Sequence, residues 1–135
     1  TQAIGVELTA GEALQQGELV YFSAAGAVSK ADADGGSAGD AIRTPIGAAQ
    51  TGISNAAAGP IGVGGVVAVR FAADGDGNAV GKPVYLSADN PGAGVQTAPS
   101  GDNDTVYQIG ILHTVSSSNV GLVLWQPALI ADLGA

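Results

Sequence analysis

Apolar residues in this chain fall into short runs rich in Val, Ile and Leu, and each run is bounded by Gly, Pro, Asn or Asp. Leu19-Val20-Tyr21-Phe22, Val66-Val67-Ala68-Val69-Arg70-Phe71, Val84-Tyr85-Leu86, Ile109-Gly110-Ile111-Leu112 and Gly121-Leu122-Val123-Leu124-Trp125 are the clearest. Short runs of β-branched and aromatic side chains between turn residues read as strands. A helix has little room. The Ala-rich stretch from Ala24 to Ala58 is interrupted by Gly26, Gly35, Gly36, Gly39 and Pro45, which break it into loops around short strands. Asp74-Gly75-Asp76-Gly77-Asn78 is a turn by residue chemistry, because Asp, Asn and Gly tolerate positive φ, and it predicts a hairpin between Val66–Phe71 and Val84–Leu86. About eight to ten strands at this spacing predict an all-β fold, a small sandwich or partly closed barrel of short strands.

The chain also repeats itself. Gly17-Glu18-Leu19-Val20-Tyr21-Phe22-Ser23-Ala24 recurs as Gly81-Lys82-Pro83-Val84-Tyr85-Leu86-Ser87-Ala88, and Ile46-Gly47-Ala48-Ala49-Gln50-Thr51 is echoed by Ile109-Gly110-Ile111-Leu112-His113-Thr114. Each half then ends on a β-rich run, Val66–Phe71 or Gly121–Trp125, so two related halves are expected at about 11–72 and 75–126 of one domain, 11–126. The segments outside it, 1–10 and 127–135, are moderately apolar and are expected to be extended N- and C-terminal arms that dock on neighbours.

Composition alters this picture in two ways. The chain is 46% apolar but only 4% aromatic, so its core must be built from small side chains whose fit matters more than their bulk. Four basic residues, Lys30, Arg43, Arg70 and Lys82, stand against twelve acidic ones, for a net charge of −8. No two of the four are adjacent, and binding of nucleic acid or an anionic membrane requires clustered cations, so neither partner is expected. No apolar stretch approaches the ~18 residues of a membrane-spanning helix. The first residues lack the basic and apolar regions of a signal peptide, and a chain opening on Thr1 is what removal of an initiator Met would leave; synthesis in the cytoplasm is the expectation.

Candidate chemistry is sparse. There is no Cys, hence no thiolate nucleophile, disulfide or Cys metal site, and the single His113 supplies neither a zinc ligand set nor a triad. His113 alternates with Ile111 in an apolar run and reads as a rim or core side chain. Asp74, Asp76 and Asn78 resemble the first half of a calcium loop, but Ala79 stands where its Gly belongs and Tyr85 where its bidentate Glu belongs. Asp102-Asn103-Asp104 is a shorter acidic turn. Gly62-Val63-Gly64-Gly65 leads into a strand rather than a helix, so it reads as a turn or a bulge where backbones approach closely, not as a phosphate loop. Ser23 and Ser87 have no histidine nearby in sequence, and Ser116-Ser117-Ser118 follow His113 without the orienting partner that a triad needs, so a serine nucleophile is not expected. No enzyme activity, cofactor or metal is expected.

The repeated G-x-x-V-Y-[F/L]-S, the I-G segment that follows it and the G-G-V-V-x-V-R run resemble the small Gly- and Ala-rich capsid decoration, or cement, proteins of tailed bacteriophages, over roughly residues 11 to 126. The resemblance implies a non-enzymatic β-rich domain, usually a homotrimer, that binds major capsid proteins on the outside of the expanded head and reinforces their contacts. The apolar arms and the tryptophan beside the second one give the candidate interface: Ile4, Val6, Leu8, Trp125, Leu129, Ile130 and Leu133. The alternative from a different class is a virion fibre or host-surface attachment module that binds glycans.

Overall fold

A computed structural model describes residues 3–37, 39–72, 79–116 and 119–133. Its strands are β1 (Ala3–Ala10), β2 (Leu19–Ala24), β3 (Ala27–Lys30), β4 (Gly47–Ala49), β5 (Ala58–Arg70), β6 (Pro83–Leu86), β7 (Gly94–Val95), β8 (Thr105–Val115) and β9 (Val120–Asp132). One 3-10 turn, Ala41–Arg43, lies between β3 and β4. Among the described residues no α-helix forms, and the nine strands make one mixed sheet in the order β1-β3-β2-β4-β5-β9-β8-β6-β7. An additional β1–β5 pairing curls the first part of the sheet into a ring. The chain is thus all-β and partly closed, as its strand-and-turn pattern predicts.

The strand pairings give the internal repeat a physical form. In the first unit β3, β2, β4 and the leading part of β5 are joined in sequence, and β1 closes the ring by pairing with β5 over Ala3↔Gly65 to Thr9↔Ala58 and with β3 at Thr9↔Ala27 and Ala10↔Val28. In the second unit β7, β6, β8 and β9 are joined in the same way, and the trailing part of β5 takes the place of β1. It pairs with β9 over Val66↔Leu124 to Arg70↔Val120 and reaches β7 through a single parallel bridge, Phe71↔Gly94. The same hydrogen bonds recur. Gly17 N–H donates to Ala49 O at 2.6 Å and Gly81 N–H to Leu112 O at 2.8 Å; Ala10 N–H donates to Ala57 O at 2.9 Å and Phe71 N–H to Asn119 O at 2.8 Å. One strand, β5, therefore finishes the first ring and begins the second.

Two sequence expectations change as a result. The runs Val66–Phe71 and Gly121–Trp125, matched above as the ends of two halves, pair with each other across the junction. The hairpin expected between Val66–Phe71 and Val84–Leu86 does not form, because β9 pairs with β5 there while β8 and β7 flank β6. The turn Asp74–Asn78 and its half-match to a calcium loop lie outside the described residues. The described residues of the two terminal segments, expected as arms that dock on neighbours, are paired within the chain: residues 3–10 form β1, and the end of β9 runs beside β8 from Tyr107↔Leu129 to Thr105↔Asp132.

The core lies in two clusters, one inside each ring. Ala10, Leu14, Val20, Val28, Ala49, Ile53 and Ile61 fill the first. Leu19, Ala48, Val67, Val69, Phe71, Val84, Leu86, Ile109, Leu112 and Val123 are the main part of the second and of the junction. Phe71 is the one aromatic residue among these buried side chains, with Tyr21, Tyr107 and Trp125 packed at the cluster's margin. Small side chains let backbones approach closely, and the repeated Ile-Gly marks where they do. A Cβ on Gly47 would overlap the Gly62 carbonyl oxygen, and one on Gly110 would overlap the Leu124 carbonyl oxygen. The Gly62–Gly65 run lies within β5, where Ile4 faces Gly64 and Gly5 faces Gly62, leaving Val63 as the extra residue of a bulge.

Candidate functional site

The residues singled out for an interface lie on the first and last strands. Ile4 and Val6 project from β1 with relative exposures of 65% and 44%, while Leu8 is half-buried against the first core cluster. Leu129 and Ile130 on β9 are 57% and 55% exposed, and Leu133, just beyond it, is exposed too. Trp125 is half-buried and packs on the second core cluster, so most of its ring has a structural role. Exposed apolar side chains of this size in contiguous groups mark interaction surfaces more than isolated ones do. Sequence reasoning missed Phe22, Val80, Val115 and Leu124, which are also exposed. Phe22 is instructive, because its repeat counterpart Leu86 is fully buried. The octet pattern could not distinguish the two.

The other conspicuous side chain was also missed. Arg43, at the end of the 3-10 turn, is only 3% exposed. Its Nε donates to Gly35 O at 2.7 Å, its Nη2 to Gly36 O at 3.4 Å, and its Nη1 to Thr105 Oγ1 at 3.1 Å. The guanidinium thereby ties the loop after β3 to the start of β8, in the other unit. The available signal was that one of only four cations sits in a loop of Gly and Asp, where carbonyl acceptors are plentiful.

Asp32 lies in the same loop, and its pKa is raised from 3.8 to about 6. Burial is the main cause, followed by its side-chain hydrogen bond with Asp34 and the Asp34 charge; the Asp34 N–H and the Arg43 charge pull the other way. The folded chain therefore holds a proton that the unfolded chain releases between about pH 4 and pH 6. A raised carboxyl pKa contributes stability at low pH that disappears as pH rises through the folded value. Thermal melts from pH 4 to 7.5 should show Asp32→Asn gaining on wild type as pH rises and levelling off above about pH 6. A constant offset between the two curves would refute this origin.

A cavity of about 510 Å³ lies between the Ser87–Asp89 turn and the loop after β7, with Thr97, Ser100 and Asp104 on its wall. Ser87 is buried, and its Oγ accepts the N–H groups of Asp89 and Asn90, which shapes that turn. The Asp104 carboxylate accepts the Gly101 N–H at 2.7 Å and shapes the other. Ser23, the repeat counterpart of Ser87, bonds Ser29 instead, at 2.9 Å between hydroxyl oxygens. His113 is exposed on β8 with its ring beside the Thr114 hydroxyl. Ser117 and Ser118 lie outside the described residues. Among the described residues, no group of three or more His, Cys, Asp or Glu side chains is placed to hold a metal ion, and no helix is long and apolar enough to cross a membrane. Compared with known proteins, the chain matches no family model and no curated sequence.

Proposed function

We propose that this chain is a non-enzymatic capsid decoration protein, which binds major capsid proteins on the outer surface of a phage head as an oligomer and stabilises the shell. The observation that carries this reading is the exposure of Ile4, Val6, Leu129 and Ile130 on the first and last strands of a tightly cored fold. A small acidic domain with exposed apolar side chains on β1 and β9 is suited to association on a particle exterior, where its net charge of −8 opposes non-specific clumping. Stabilisation follows from mass action. Copies that bind the assembled lattice and not its separated subunits add their binding free energy to the shell, and several weak contacts from one oligomer act together. Heads lacking the protein should burst at lower temperature and under milder osmotic shock than complete heads, and adding back the purified protein should restore them. Equal survival of the two preparations removes the reading.

A glycan-binding attachment module is the second reading, and the cavity beside Ser87 favours it, since hydroxyls and the carboxylates of Asp89 and Asp104 on its wall suit sugar hydroxyls. Glycan-array binding lost on Asp89→Ala would place it first.

A further inference from the structure

The cavity beside Ser87 gathers charge of one sign. Asp89 and Asp104 stand on its wall with the hydroxyls of Thr97 and Ser100, while Val95 and Pro99 supply an apolar part. Segments distant in sequence meet here. The Ala33 N–H donates to Ser87 O at 3.1 Å and the Thr105 N–H to Ala33 O at 2.8 Å, which brings the Asp32–Asp34 loop beside the Ser87–Asp89 and Asp102–Asp104 turns. Among the described residues no basic side chain lines the cavity. Arg43 is turned onto Gly35, Gly36 and Thr105, Arg70 onto Gln16 O and Lys30 onto Glu18, and Lys82 lies at the other end of β6 from Ser87. Carboxylates in a concave site without a counter-charge focus a negative field that draws a cation. Ser87 adds a demand independent of charge. It is 2% exposed, its Oγ accepts the N–H groups of Asp89 and Asn90, and its own proton meets no acceptor among the described residues. Buried hydroxyl donors are ordinarily paired, so a ligand that completes this site brings an acceptor as well as a cation. An extended peptide with a basic side chain carries both.

We propose that this cavity receives an arginine side chain from an extended segment of a partner protein, with the guanidinium between Asp89 and Asp104, its stem along Val95 and Pro99, and an adjacent carbonyl oxygen accepting the Ser87 hydroxyl. A volume of about 510 Å³ lies in the range of small-ligand sites and exceeds what one side chain fills, which leaves room for flanking backbone. A planar fork with five donors serves two carboxylates at once better than an ammonium does. A neutral sugar would meet the hydroxyls but leave both charges uncompensated, and no aromatic ring lines the cavity for its face to stack on. That the segment belongs to the major capsid protein rests on the decoration reading; the selectivity of the cavity for a cation does not. On that reading the charge pairing fixes the orientation of each copy on the lattice, while apolar contacts supply the area.

The tripeptide acetyl-Ala-Arg-Ala-amide, titrated into the isotope-labelled chain, should shift the NMR amide signals of Ala88, Asp89, Val95, Thr97 and Ser100. Its citrulline analogue, which keeps the shape without the charge, should bind at least about tenfold more weakly. Added salt should weaken the first and not the second. Asp89→Asn and Asp104→Asn preserve size, and the latter keeps an acceptor for the Gly101 N–H. Together they should abolish the preference for arginine over citrulline, whereas Glu7→Gln, an equal loss of charge on exposed β1, should leave it unchanged. Ala98→Arg, at an exposed position on the cavity wall, should block the site with the chain's own guanidinium while melting as wild type does. Equal binding of the two peptides overturns the proposal, as do shifts produced by calcium chloride or a neutral oligosaccharide and not by the arginine peptide. Heads that take up the doubly substituted protein as fully as wild type overturn the capsid assignment of the cavity. A wild-type chain that binds the arginine peptide yet leaves heads unprotected sinks the decoration reading alone, and one that protects heads without binding the peptide sinks the cavity alone.

Discussion

Gly110→Ala should lower the unfolding free energy by about 3 kcal/mol, or roughly 10 °C in melting temperature. β8 crosses β9 at this point with Gly110 opposite Trp125. The new methyl group would run into the Leu124 carbonyl oxygen and come within 3.0 Å of the Gln126 N. Both obstacles are backbone atoms held in the β8–β9 ladder, so neither can turn aside as a side chain would. The strands must separate, and Ile109 and Leu112, both core residues, move with them. Gly81→Ala is the control: φ there is +86°, but nothing lies within 4 Å of the added carbon, so the cost is that of a left-handed residue, about 1–2 kcal/mol. Gly47→Ala should resemble Gly110→Ala, because its methyl meets the Gly62 carbonyl in the equivalent crossing. A Gly110→Ala protein that melts no lower than the Gly81→Ala protein would show that the crossing has room to relax.

Arg43→Met should cost about 3 kcal/mol in urea unfolding. Methionine approximates the stem's length but donates no hydrogen bond, leaving the Gly35 and Gly36 carbonyls without the guanidinium and removing its bond to Thr105. Arg43→Lys should recover less than half of the loss, since an ammonium cannot reproduce a planar fork aimed at three separate oxygens. The two loop predictions are coupled. Because the Arg43 charge holds the Asp32 pKa down, Arg43→Met should push that pKa above its value of about 6, visible as a shift of the Asp32 carboxyl titration by NMR. No such shift, or full rescue by lysine, would reduce Arg43 to a space-filling role.

The sequence alone determined the all-β class, the approximate strand positions, the small-residue core and the repeat. These follow from local chemistry: alternation and β-branching favour extended backbone, and Gly and Asp favour turns. What only the tertiary structure decided is which strand lies beside which. Val66–Phe71 could have turned back on Val84–Leu86, its near neighbour in sequence, but it pairs instead with Val120–Leu124 and opens the second ring. That choice depends on closing two rings at once, a condition spread over distant segments that no local pattern encodes. The same non-local packing buries Leu86 and leaves its repeat counterpart Phe22 exposed. It also encloses Arg43, which looks in sequence like any loop cation. The terminal segments show both levels. Their apolar character is legible residue by residue, whereas their pairing with β5 and β8, and hence which of their side chains remain uncovered, exists only once the sheet has formed.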